Sequence, residues 1–177
     1  NTAVGWNAGG SFTTGGDNVA IGQRAIDANS TGGNNVAIGS EALSNSTSGG
    51  SNVAVGHDAL VTSTTASSNC AVGNDAGFSN TTGGNNTLIG TAAGYHVSTG
   101  VNNTLLGHDA GSTASPSGRI TTESNQICLG DNSVSGLFCA DTSISSSDSR
   151  DKTDVTSFNI GLDWINALRP VTYRWDR

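Results

Sequence analysis

Asn35-Val36-Ala37-Ile38-Gly39 is one copy of a phrase, Asn-x-Ala-Φ-Gly with Φ apolar, that also opens at Asn1, Asn18, Asn52 and Asn69 and, with Leu in place of Ala, at Asn86 and Asn103. Every interval is 17 residues. An eighth copy, Gln126-Ile127-Cys128-Leu129-Gly130, follows after 23 residues. The six extra residues fall in the stretch holding Pro116 and Gly118, which predicts a surface loop over about 111–125. A fixed period of this size means one supersecondary unit stacked on itself.

Counting the Asn as position 1, the columns can be read in turn. Position 4 is Val4, Ile21, Ile38, Val55, Val72, Ile89 and Leu106. Position 3 is Ala3, Ala20, Ala37, Ala54 and Ala71, then Leu88 and Leu105. Position 5 is always Gly, and position 8 is always Ala through Ala110. Three apolar residues followed by Gly are too short for a helix and suit a brief strand ended by a bend. Gly at position 5 permits a positive φ or a close backbone approach. Gly pairs at 15–16, 32–33, 49–50 and 83–84 mark a second corner. The Asn residues beside them tolerate left-handed backbone and can build side-chain ladders.

The pattern therefore predicts an all-β chain, a parallel β-roll or β-solenoid of 17-residue coils with two short strands each. Stacked coils rise by about 4.8 Å. Successive strand side chains alternate in direction. Positions 2 and 4 are expected to fill a thin core with Val19, Ile21, Val36 and Ile38, and position 3 to face a neighbour. A few small apolar residues per coil, worth at most about 1.5–3 kcal/mol each, barely offset a backbone entropy cost of roughly 1–2 kcal/mol per residue. A lone roll is marginal, and association through the Ala face is the expected remedy.

Composition limits the alternatives. Gly, Asn, Ser and Thr supply 25, 19, 24 and 21 of 177 residues, so large apolar residues are too few for a thick α/β core. Charged residues are only 12%, which argues against a disordered linker. The net charge is −7, and Arg24 is the only base through residue 118, which excludes nucleic-acid binding by that part. No apolar run is long enough for a membrane span or signal peptide, so no membrane insertion is expected. Cys70, Cys128 and Cys139 lack metal-ligand spacing and read as small apolar fillers.

Asn35–Gly39, with Ala42-Leu43, resembles the head repeats of YadA-like trimeric autotransporter adhesins. That resemblance implies left-handed parallel β-rolls joined as trimers; phage fibres borrow such repeats. The repeat here is somewhat longer than that family's.

Composition changes near residue 140. A Ser-rich connector over 131–146 leads to Ser147-Asp148-Ser149-Arg150-Asp151-Lys152. Phe158, Leu162, Ile165 and Leu168 then follow helical spacing up to Pro170, and Val171, Tyr173 and Trp175 alternate like a strand. A short mixed α/β segment is expected over 147–177. Ser147-Asp148-x-Arg150-x-Lys152, with Leu168-Arg169-Pro170-Val171-x-Tyr173-x-Trp175, resembles the start of the intramolecular-chaperone autocleavage domain of phage tailspikes and fibres, endosialidase type. The resemblance implies a Ser147–Lys152 dyad and a scissile bond between Ser146 and Ser147. Ser147 Oγ would attack the Ser146 carbonyl while neutral Lys152 takes the proton, which needs a lysine pKa depressed by desolvation.

Other candidates are weaker. Trp6, Phe12, Phe78, Tyr95 and His96 break the periodic pattern and are candidate receptor contacts, since aromatics projecting from a polar roll can stack on sugar rings. His57 and His108 share a column, each followed by an Asp, but lie three coils or about 14 Å apart and cannot share an ion within one chain. Asp58, Asp75 and Asp109 sit in no Gly-x-Asp calcium cage, so no metal and no cofactor are expected.

These features point to a structural and adhesive viral fibre, a phage tail fibre or tailspike. Its partners would be two further copies of the chain and a host-surface glycan or protein, its place the virion, and its only chemistry one self-cleavage. The head of a bacterial surface adhesin is the main alternative. An ice-binding solenoid needs a flat Thr face, and Thr recurs only patchily; a glycan-degrading enzyme needs a groove to hold the sugar.

Overall fold

Three residues of every coil are extended. The strands are β1 (Thr2–Val4), β2 (Val19–Ile21), β3 (Val36–Ile38), β4 (Val53–Val55), β5 (Cys70–Val72), β6 (Thr87–Ile89), β7 (Thr104–Leu106) and β8 (Ile127–Leu129). They form one parallel sheet in sequence order, each strand pairing with its equivalent in the next coil. A computed structural model describes residues 1–29 and 31–136, and these form a β-solenoid with a 17-residue coil. Within the described residues there is no helix and nothing able to cross a membrane as one.

The expected second strand of each coil is absent among the described residues. The return limb is built from turns, although it still bonds coil to coil: Leu43 N–H donates to Ala59 O at 3.0 Å, and Thr64 N–H to Thr81 O at 3.0 Å. The reason is local. Positions 7 and 9 adopt left-handed backbone, as at Glu41 (φ 59), Leu43 (φ 54), Asp58 (φ 56) and Leu60 (φ 53). Extended residues cannot alternate with left-handed ones and remain a strand.

The strand faces are the reverse of the expected arrangement. Ala20, Ala37, Ala54, Ala71, Leu88 and Leu105 at position 3 are fully buried, together with the position-8 alanines from Ala25 to Ala110 and Ile26, Leu43 and Leu60. Positions 2 and 4 point outward, with Ile21, Ile38, Val53, Val72, Ile89 and Leu129 all exposed. The coil is so narrow that only Ala fits at position 3 wherever position 9 is large. Where position 9 becomes Gly94 or Gly111, position 3 becomes Leu88 or Leu105, and a Cβ on Gly94 would sit 2.6 Å from Leu88 Cδ2. In the coils of Ile26, Leu43, Leu60, Leu88 and Leu105 one large side chain fills the interior, supplied from either side; the fifth coil has Ala71 and Gly77, and Leu60 and Leu88 of its neighbours reach over Gly77. The Ala face is thus the core of the coil, and it is not available to a sister chain.

Two further columns hold the stack together. The position-5 glycines from Gly5 to Gly107 have φ between 108 and 142, and a Cβ on Gly56 would lie 2.4 Å from Gly73 O, so both reasons for Gly apply there. Position 1 forms an Asn ladder. Asn35 donates from its backbone N–H and its Nδ2 to Asn18 Oδ1, at 2.9 and 3.1 Å, and from Nδ2 to Gly49 O at 2.9 Å. The residue before each ladder Asn takes the left-handed turn, as Asn34 does (φ 60).

The longer step before β8 is absorbed between Gly111 and Ile120. Ile120 N–H donates to Gly111 O at 2.9 Å and its side chain re-enters the core, below Val97 in the same column. Thr113, Ala114, Pro116 and Ser117 are exposed, as a surface loop requires. Cys128 takes the buried position-3 place in the last coil, and Cys70 lies in β5; both are free thiols.

Candidate functional site

The 17-residue step stacks like positions directly. Phe78 and Tyr95 both stand at position 10, in adjacent coils, and their rings lie parallel with centroids 4.9 Å apart and planes 4° from parallel. His96 meets Tyr95 edge-on, with centroids 5.0 Å apart at 79°. All three are half-buried, so each ring is held by the coil and still reaches solvent. Offset or parallel stacks of this kind contribute about 0.5–1.5 kcal/mol beyond area burial.

Burial holds the His96 imidazole below its ordinary 6.5, and the Arg119 guanidinium adds to that; Asp109 partly offsets both. Arg119 is exposed on the insertion loop. An aromatic shelf flanked by a cation can accept a sugar ring on its apolar face and an acidic substituent beside it. Arg119 was not singled out in the sequence; the only signal was its being the second base in 119 residues.

The other aromatic candidates stand elsewhere. Trp6 is 70% exposed on the first coil, and Phe12 packs against the interior next to Gly9, where it substitutes for the missing large residue of that coil. The structure does not bring either to the Phe78–Tyr95–His96 cluster. Ser146, Ser147 and Lys152, the candidate cleavage and catalytic residues, lie outside the described residues, as do the helical and strand patterns predicted over 158–175. Among the described residues no pocket opens, so any ligand there must be met by surface relief. The Thr column is inward-bonded: Thr47, Thr64 and Thr81 hydroxyls donate to the Thr64, Thr81 and Ser98 carbonyls at 3.1–3.2 Å. Arg24 is paired with Asp27 at 3.1 Å and Glu41 at 3.3 Å, which leaves no basic track along the coils.

Comparison with known families gives one match. A family model described as chaperone of endosialidase matches residues 147–177. Its first matched residue is Ser147. None of the curated proteins and none of the solved structures matches the chain. A solenoid of 17-residue coils followed by this segment fits a tail fibre with a C-terminal chaperone.

Proposed function

We propose that the chain is a structural and adhesive element of a viral tail fibre or tailspike, a trimeric solenoid that serves host attachment and carries a self-cleaving chaperone. The observation that carries this reading is the chaperone-of-endosialidase match at 147–177, in a chain whose preceding residues include eight stacked coils.

The outward strand face supports the trimer. Parallel sheets are normally covered on both faces, yet here Ile21, Ile38, Val72 and Ile89 form an exposed apolar stripe along the stack. A contiguous apolar strip on a soluble protein marks an interface. Its 17-residue regularity matches another copy of the same stack set in parallel, rung against rung. Phe78, Tyr95 and His96 supply the receptor contact, with a host-surface glycan as its chemistry.

Cleavage would proceed by attack of Ser147 Oγ on the Ser146 carbonyl, with Lys152 accepting the hydroxyl proton. The C–N bond breaks, the Ser147 nitrogen takes up a proton as the free amine, and water hydrolyses the resulting ester. The products are a fibre ending at Ser146 and a released chaperone beginning at Ser147. Release removes the route by which the trimer formed and leaves it kinetically locked. Intact-mass spectrometry of the chain beside Ser147→Ala and Lys152→Ala tests this. Wild type is expected to shorten to Ser146 and both variants to stay whole; an intact wild type refutes the cleavage.

A further inference from the structure

Each strand ends at its position-5 Gly, and the next two residues form a corner on the outside of the coil. At two of these corners the side chains converge. His57 Nδ1 and one carboxylate oxygen each from Asp58 and Asp75 all lie within 4.8 Å of one another. The same holds for His108, Asp109 and Asp131. In both groups the His is exposed and the carboxylates are half-buried.

The backbone explains the convergence. Asp75 N–H donates to His57 O at 3.0 Å, which holds the corner of the fifth coil against that of the fourth. Asp131 is fixed by its own carboxylate, whose Oδ1 accepts the Ser133 N–H at 2.8 Å while Oδ2 faces His108 Nδ1 at 3.3 Å. The third ligand comes from different columns, position 7 for Asp75 and position 6 for Asp131. A plain repeat of one column would have used one position. The strand register is kept across the 23-residue step, and the donor set is the same although the third ligand's column differs.

The spacing has a chemical meaning. Ligands about 2.0–2.2 Å from a tetrahedral ion stand roughly 3.4 Å apart. His57 Nδ1 lies 3.3 Å from Asp58 Oδ2, and His108 Nδ1 lies 3.4 Å from Asp109 Oδ2 and 3.3 Å from Asp131 Oδ2. One imidazole nitrogen with two carboxylate oxygens suits a borderline transition ion; calcium and magnesium take six or more oxygens. The charge points the same way. Glu41, Asp58 and Asp75 stack on three successive coils, and the only cation in their column, Arg24, is already paired with Asp27 and Glu41.

We propose that these corners are two surface sites for a divalent transition-metal ion of the Zn²⁺ class, one held by His57, Asp58 and Asp75 and one by His108, Asp109 and Asp131. Each ion ties neighbouring coils together, the fourth to the fifth and the seventh to the eighth. The second therefore clamps the array across its longest step. From sequence no metal is expected, because His57 and His108 lie three coils apart. The partner of each is the Asp one coil on, which only the stacking brings alongside.

The test is calorimetric titration of the full chain, stripped with chelator, with ZnCl₂. Wild type is expected to take up two equivalents, His57→Ala and His108→Ala one each, and the double variant none. Asp75→Asn and Asp131→Asn each weaken their own site alone, by at least the ~10-fold that outer-sphere partners cost. These residues lie on the outer corners, so circular dichroism is expected to show unchanged folding. Absence of zinc uptake by wild type overturns the proposal, and so does uptake that survives in the double His variant.

Discussion

Asn35 Oδ1 accepts two hydrogen bonds from Asn52, one coil on: from the backbone N–H at 2.9 Å and from Nδ2 at 3.1 Å. Asn52 Nδ2 also donates to Ala66 O at 2.9 Å, and Asn52 Oδ1 in turn receives Asn69 N–H at 3.0 Å. The side chain is fully buried. Asn is the residue that donates down the stack and accepts from above in one small volume. Asn52→Asp removes the donor and sets a carboxylate against two carbonyl-type oxygens. Each buried group left without a partner costs about 1–3 kcal/mol, so the variant is expected to unfold at markedly lower urea concentration. An unchanged midpoint contradicts the ladder's role.

Gly56 and Gly16 separate two kinds of glycine. Gly56 has φ +135 and no room for a Cβ, which would meet the Gly73 carbonyl at 2.4 Å. At Gly16 a Cβ meets nothing within 4 Å. Gly56→Ala is expected to cost more than about 4 kcal/mol, the range of severe core defects. Gly16→Ala is expected to be neutral or to stabilise by about 0.4–1 kcal/mol through the unfolded chain. Thermal melts of the two proteins check the contrast.

Interior packing is a trade between positions 3 and 9. Leu88→Ala alone empties the sixth coil, at about 2–5 kcal/mol. Gly94→Leu alone overpacks it, at about 1–3 kcal/mol. The double variant recreates the arrangement of the third coil, where Ala37 faces Leu43. Its loss is expected to fall below the sum of the single losses by about 0.5–3 kcal/mol in a double-mutant cycle. Strict additivity refutes the exchange.

Glu123 ties the turn after the insertion. Its carboxylate accepts the Thr121 N–H at 2.6 Å and the Thr122 N–H at 3.0 Å, and these bonds, that from Thr121 above all, hold its pKa below the ordinary 4.5. A depressed carboxylate pKa stabilises the fold above the unfolded value and ceases to do so as pH falls through the folded one. Glu123→Gln is therefore expected to melt below wild type at pH 7, with the gap closing as pH drops past 4.5. A gap that is the same at both ends contradicts the assignment.

Much of this architecture is written in the sequence because a solenoid turns spacing into contact. Phe78 and Tyr95 are 17 residues apart, and their rings stack. The Gly column and the Asn ladder follow from the same arithmetic. The inside of the coil was not legible from alternation, since both faces of Val36-Ala37-Ile38 are apolar. Size was the usable signal: a narrow coil encloses Ala37 and leaves Val36 and Ile38 outside. The exchange of Leu43 for Leu88 and Gly94 was visible in the columns and marks position 9 as interior. The missing second strand was not legible, because left-handed backbone falls on Glu41, Leu43 and Leu60, residue types that rarely adopt it. Among the candidate contacts, Phe12 stood out as an aromatic, and only its place beside Gly9 reveals it as a core plug.

The outward stripe of Ile21, Ile38, Val72 and Ile89 carries the account, and its covering is open to direct measurement. Light scattering on the chromatographed full chain is expected to give three chains per particle for wild type, and one chain per particle for Ile38→Glu/Val72→Glu with its circular dichroism retained. A wild type that runs as a single chain at micromolar concentration would contradict the claim that this stack is one third of a fibre.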